Sequence, residues 1–340
     1  DIFGSRGLGD VYKRQGSVLA VGSPRSYNGG PASSHYGRGN VRIFTRVDNN
    51  WYETGRIEGD HDFRSTGNAL SLSSDGSTLV INSESLVRIY KNVNNTWTQI
   101  GGDIDRGTTP NDYESTVVSL SSDGSIVAIG SSGTWRGSTI RGNVRIYENV
   151  NNSWTQIGSD IDGEAVGDMS GYSVSLSSDG SIVAIGAPRN DGNGIDSGHV
   201  RIYKNVNNTW TQVGSDIDGE ANSDQSGFSV SLSADGSIVA IGAPYNATEL
   251  VRSSYKFGHV RIYKNVNNTW TQIGSDIDGG ANRDRLGLSV SLSSDGSVVG
   301  VGAPDEYFGG TGEGHHGFAA IYQNINNSCL LYTSDAADDQ

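Results

Sequence analysis

Residues Ser170 to Asp218 read SGYSVSLSSDGSIVAIGAPRNDGNGIDSGHVRIYKNVNNTWTQVGSDID, and Ser226 to Asp278 read SGFSVSLSADGSIVAIGAPYNATELVRSSYKFGHVRIYKNVNNTWTQIGSDID. The second stretch repeats the first almost word for word, and looser copies extend in both directions. One tryptophan marks each copy, at Trp51, Trp97, Trp154, Trp210 and Trp270, with gaps of 46, 57, 56 and 60 residues. A recurring unit of this length needs its neighbours to cover its faces, so the repeat decides the architecture.

Within the unit, SVSLS (173–177) alternates apolar and small polar residues, the period-two signature of a strand. Ser178-Asp179-Gly180 follows as a hairpin turn. SIVAIG (181–186) is apolar on both faces, as in a strand sandwiched between layers. A loop runs from Ala187 to Gly198, and HVRIYKNV (199–206) forms a third strand. Asn207-Asn208 makes the next turn, because asparagine tolerates the left-handed region. TWTQVGSDI (209–217) is read as one fourth strand. Four antiparallel strands, tightly linked and repeated about an axis, predict an all-β fold, a β-propeller of four-stranded blades. Strand count alone leaves Kelch and WD40 blades open.

Full copies start near Gly67, Thr116, Gly171 and Gly227, with three strands before them and three after. That is 22 strands, two short of six blades, so the reading is about six blades and a fragment of a longer, seven-bladed ring. The repeats span 16–328. Residues 1–15 and 329–340 depart from the repeat at Gln15 and Cys329, resemble translated sequencing-adapter read-through, and are read as non-native tails. The chain starts at Asp1 without a signal peptide, so export is neither shown nor excluded.

The composition agrees with many short strands. There are 48 glycines, 6 prolines and only 34% hydrophobic residues, which is low for one large core. The net charge of −14 argues against a nucleic-acid partner, and setting the tails (+1 and −3) aside leaves −12. No apolar stretch approaches a membrane span, so no membrane insertion is expected. A single cysteine, Cys329, permits no disulfide within the chain.

The unit resembles the FG-GAP repeat of the integrin α-subunit propeller. Leu286-Gly287-Leu288-Ser289-Val290 is similar to its opening element. Gly186-Ala187-Pro188, Gly242-Ala243-Pro244 and Gly302-Ala303-Pro304 match the GAP element, and Gly198 to Tyr203 and Gly258 to Tyr263 match the closing strand. The resemblance implies a propeller, an extracellular or cell-surface location, and adhesion or recognition. It does not carry the family's calcium loop here. That loop needs a ladder of acidic ligands, and this chain cuts it to Ser-Ser-Asp-Gly, which cannot supply six to eight oxygens.

Asp-Gly and Asn-Asn turns fall on one face of the predicted disc, and the longer, more variable connections fall on the other. Variable loops on a rigid frame are where recognition sits, so a protein or glycan ligand is expected there. The same face collects Asp160, Asp162 and Asp168, then Asp216, Asp218 and Asp224, then Asp276, Asp278 and Asp284. Period two places each Asp-x-Asp pair on one side of its strand. These nine residues are the candidate metal ligands, for Ca²⁺ as a hard cation; the alternative is solvated turn acids. Asn190, Asp191, Asn193 and Asp196 make a further oxygen-rich loop in one copy.

Sequons at Asn94, Asn151, Asn207, Asn267 and Asn326 lie on the short-turn face, with Asn246 on the loop face; they are glycan acceptors or simply turn-formers. The repeated tryptophan is expected in the core between blades. His199 and His259 read as structural, and His315-His316 has no partners at metal spacing. No nucleophile elbow, metalloprotease helix or phosphate loop is present. The sequence therefore predicts a non-catalytic binding module. An intracellular WD40-like scaffold, or a propeller hydrolase or lyase, are the alternatives.

Overall fold

Alternation, glycine turns and paired asparagines produce the sheets that the repeat predicts. In the computed structural model, residues 17–24, 39–59, 66–83, 86–105, 116–133, 141–246, 257–280, 284–304, 317–325 and 328–334 are described. They form six antiparallel blades arranged as a β-propeller, with no helix among the described residues. The blades span 18–58, 70–105, 116–162, 173–218, 229–278 and 289–334. The first has three strands. Loops 25–38, 134–140, 247–256 and 305–316, the tail 1–15, and His315-His316 lie outside the described residues.

Blade four shows how the local chemistry works. Its strands are Ser173–Leu176, Ile182–Ala187, His199–Val206 and Thr209–Gln212, paired in that order. In the first turn Gly180 has φ 69°, and the Asp179 carboxylate accepts bonds from Ser177 Oγ (2.7 Å) and Ser181 N (2.9 Å). Ser177 Oγ accepts in turn from Ile182 N at 2.9 Å. In the second turn Asn207 and Asn208 have φ 51° and 61°. Positive φ at both central residues is the hairpin geometry that matches strand twist, and asparagine reaches it with little strain.

The core lies between blades. Val200, Ile202 and Ile217 of blade four pack with Leu232, Val239 and Ile241 of blade five. Each such side chain contributes roughly 1.5–3 kcal/mol on burial, and none would be covered in an isolated blade. Trp97, Trp154, Trp210 and Trp270 are half-buried in these seams, as expected, whereas Trp51 is exposed. Trp154, Trp210 and Trp270 each donate Nε1–H to a backbone carbonyl of the preceding blade, Ile100 (3.0 Å), Ile157 (2.9 Å) and Val213 (2.8 Å).

The serines of the inner strands are latches too. Ser71, Ser119, Ser175 and Ser231 accept from the backbone N–H of Leu120, Leu176, Leu232 and Leu292 in the following blade, at 3.0–3.1 Å. The GAP glycine allows a close backbone approach between neighbouring blades. A Cβ on Gly186 would lie 2.0 Å from the Gly227 carbonyl oxygen.

One expectation is revised, and one strand runs past the boundary set for the repeats. The fourth strand is not continuous: Thr209–Gln212 and Ile217–Asp218 pair separately with the third strand. Two residues, Arg201 and Ile202, face four, Val213 to Asp216, and Gly214 turns this bulge at φ 75°. A bulge re-aims side chains, and here it sets the direction of Asp216. Residues 329–334, set aside with the tail, form part of strand Ser328–Ser334, which pairs with Phe318–Ile325 as the outer strand of blade six. Edge pairing runs through backbone groups and so depends little on which side chains the strand carries.

Candidate functional site

The two ends of the propeller differ in how their polar groups are used. At the short-turn end, each Ser-x-Asp-Gly turn is internally bonded, and successive turns are linked by Ser74 N to Ser122 O, Ser122 N to Ser178 O and Ser178 N to Ala234 O, all at 2.8 Å. Burial works against the turn carboxylates Asp179 and Asp235, but the backbone and serine donors outweigh it and hold them below the usual carboxylate range. Asp295, bonded by Ser293 and Ser297, is lowered to about 2.

The long-loop end also buries acidic side chains, in a different arrangement. Asp168 is buried and accepts from Ala165 N (3.0 Å) and Asn190 Nδ2 (2.9 Å). Asp224 is buried and accepts from Ala221 N at 2.8 Å. These two cap their own connections. Asp160 accepts from Arg145 Nε (2.8 Å) and Gln156 Nε2 (2.7 Å). Asp162 and Asp218 are exposed and lend their backbone carbonyls to Arg201 and Arg261 (2.8 Å each). Burial and the neighbouring Asp216 and Asp276 raise Asp218 and Asp278 respectively. Asp284 is partly buried at the start of blade six.

Among the described residues, the groupings of metal-capable side chains join only Asp216 and Asp276 of the nine aspartates. Each meets a histidine and a glutamate: Glu164, His199 and Asp216 in one, Glu220, His259 and Asp276 in the other, with ligand atoms within 4.8 Å of one another. His199 Nδ1 lies 3.5 Å from Asp216 Oδ2 and 3.9 Å from Glu164 Oε2. His259 Nδ1 lies 3.8 Å from Asp276 Oδ2 and 3.9 Å from Glu220 Oε2. Both rings are 1% exposed. Burial lowers both to about 4, outweighing the nearby aspartate, and Arg201 or Arg261 adds to the lowering. The imidazoles are therefore neutral at neutral pH. Burial also raises Glu220, with Asp276 beside it adding to the effect against the opposing Arg261.

Sequence reading missed Glu164 and Glu220 and took the histidines as structural. The available signal was co-occurrence. Glu164 precedes His199 and Glu220 precedes His259, whereas the next copy has Gly280 and Phe318 at the equivalent places.

Residues 160–203 match the family model described as FG-GAP repeat. The chain is a β-propeller carrying an FG-GAP repeat. No curated protein sequence matches it. Solved structures that resemble it include a functionally unknown protein from Desulfotomaculum acetoxidans, with TM-score 0.58, 12% identity, and coverage of 94% of this chain and 82% of that one. The Pseudomonas aeruginosa periplasmic gluconolactonase has TM-score 0.58 and 13% identity, covering 94% and 81%. A candidate 6-phosphogluconolactonase from Bacteroides fragilis has TM-score 0.58 and 13% identity, covering 94% and 80%. At such identity the likeness is one of fold.

The expectation of a non-catalytic chain is corrected by these neighbours. Proteins named as lactonases share the architecture. The inference from plain inner strands to no catalysis therefore fails. Its physical weakness is visible in this chain, where acid–base side chains converge from a connection, a third strand and a bulge that no linear motif displays together.

Proposed function

We propose that this propeller recognises a protein or glycan ligand at its long-loop end, in the extracellular or cell-surface setting of the integrin α-subunit propellers its repeat resembles. One observation carries this reading, the asymmetry between the two ends. The short-turn end is closed by bonds within and between turns. The long-loop end instead carries connections that differ between copies, and in blade four Asp191, Gly192, Asn193 and Ile195 of that connection are exposed. Exposed, variable loops on a rigid frame are what a recognition surface needs.

Nucleic acid is not among the proposed ligands, given the net charge of −14. No helix among the described residues is long and apolar enough to cross a membrane. Binding at this end is compatible with turnover of the bound molecule.

The test is a glycan array and an ectodomain panel probed with the full chain. Hits are then repeated with the loop Arg189–Ser197 replaced by a short glycine-serine turn, and with Asn207→Gly/Asn208→Gly on the opposite face. Loss of binding in the loop variant alone is expected. Hits lost only in the turn variant, or no hits on either panel, would overturn the reading.

A further inference from the structure

We propose that blades four and five each hold a divalent transition-metal ion of the zinc class, one bound by Glu164, His199 and Asp216 and the other by Glu220, His259 and Asp276. The spacing is the first argument. Separations of 3.5–3.9 Å from Nδ1 to the carboxylate oxygens are too long for good hydrogen bonds. They are close to the ligand-to-ligand distance of about 3.4 Å set by bonds of about 2.0–2.2 Å in a tetrahedral site.

The second argument is independent of the carboxylates. In blade four His199 is 1% exposed, yet its Nδ1, the nitrogen facing the carboxylates, lacks a hydrogen-bond partner. A buried polar atom without a partner is costly. The groups near that nitrogen are the two carboxylate oxygens, of Asp216 and Glu164.

The surroundings orient the remaining ligands. Gln212 Nε2 holds Asp216 Oδ1 at 2.6 Å, and Gln272 Nε2 holds Asp276 Oδ1 at 2.6 Å. Arg201 Nη1 lies 3.7 Å from Glu164 Oε1, and Arg261 Nη1 lies 3.5 Å from Glu220 Oε1. In each site one oxygen of each carboxylate is engaged by these partners and the other faces the ring, Glu164 Oε2 also accepting a long bond from Asn190 Nδ2 at 3.5 Å. Outer partners of this kind fix ligand direction in metal centres. Imidazole nitrogen favours zinc-class ions over Ca²⁺ or Mg²⁺, which take oxygen ligands. The glutamates are about half exposed (47%), so a further coordination position is reached from solvent. The sites stand whether or not the loop end recognises a protein or glycan.

The full chain, stripped with EDTA and dialysed, is titrated with ZnCl₂ by calorimetry and with CoCl₂ by visible absorption. About two ions per chain are expected, falling to one in His199→Asn and to none in His199→Asn/His259→Asn. Asparagine is a native occupant of the equivalent place, Asn143. Ca²⁺ is expected to bind at least about tenfold more weakly. Unchanged stoichiometry in the double variant, no binding by the parent chain, or equal affinity for Ca²⁺ would overturn the proposal. If the double variant fails to fold, Glu164→Gln/Glu220→Gln changes exposed side chains and is expected to weaken zinc at least about tenfold; unchanged affinity there would also overturn it.

Discussion

Blades three and four share nearly every strand and turn residue, though not the connection after the second strand, and they spend one aspartate differently. In blade three the third strand opens with Asn143, and Arg145 pairs with Asp160 at 2.8 Å. Blade two behaves alike, with Leu86 in that place and Arg88 bonded to Asp103 at 2.9 Å. In blade four the opening residue is His199. Arg201 there turns instead to the Asp162 carbonyl and toward Glu164, and Asp216 is left facing the imidazole. Blade five repeats this with His259, Arg261 and Asp276. Whether the arginine–aspartate pair closes within its blade thus goes with two residues, the one that opens the third strand and the one at the place of Glu164. The frame is common to both kinds of blade, and the polar end is not.

The strongest way to test the shared frame is to attack both kinds of blade at the same glycine. A Cβ would lie 2.3 Å from the Gly171 oxygen at Gly130, and 2.0 Å from the Gly227 oxygen at Gly186. Gly130→Val and Gly186→Val should each cost about 3 kcal/mol, seen as matched drops in the urea midpoint. Unequal losses would show that the blades do not share one seam.

The next largest effect separates the blades by acidity. Unfolded histidine titrates near 6.5, whereas His199 and His259 fold with values of about 4 because burial disfavours the charged ring. The unfolded chain therefore takes up protons that the folded chain refuses. Stability in EDTA should be full above pH 6.5 and fall progressively toward about pH 4, at about 1.4 kcal/mol per unit of displacement. His199→Asn/His259→Asn should flatten melting temperature across that window. The turn aspartates, with Asp295 at about 2, act in a lower window, and their contribution is lost only as pH falls below the normal carboxylate range.

A smaller effect tests the seam again. Trp154→Phe and Trp210→Phe each remove one inter-blade hydrogen bond. Each should cost about 1 kcal/mol from that bond, in equal measure, by chemical denaturation. The smallest effect is the sharpest comparison. Asn143→His alone should add no third metal ion, because Gly107 stands where blade four's connection has Glu164, and Arg145 already occupies Asp160. A calorimetric stoichiometry of three would break the distinction drawn between the blades.

The blades were legible because each cue acts locally. SVSLS alternates, Asp-Gly and Asn-Asn demand positive φ, and SIVAIG has no polar face to expose. The bulge at Gly214 was not legible, since TWTQVGSDI reads as one alternating strand until its register against Arg201 and Ile202 is known. The aspartates were legible as a group but not as individuals. Asp168 and Asp224 are backbone caps, Asp160 is an arginine partner, and only Asp216 and Asp276 meet a histidine. Glu164 was overlooked because nothing in its own segment distinguishes it from a solvated turn acid.

By itself the sequence determined the repeat, the strand order and the two unlike ends of the propeller, because period-two burial and turn conformation depend on residues a few positions apart. Only the tertiary structure decided which polar side chains meet. Glu164, His199 and Asp216 lie 35 and 17 residues apart, and their encounter depends on blade stacking and a bulge, distances that no local rule of chain geometry contains.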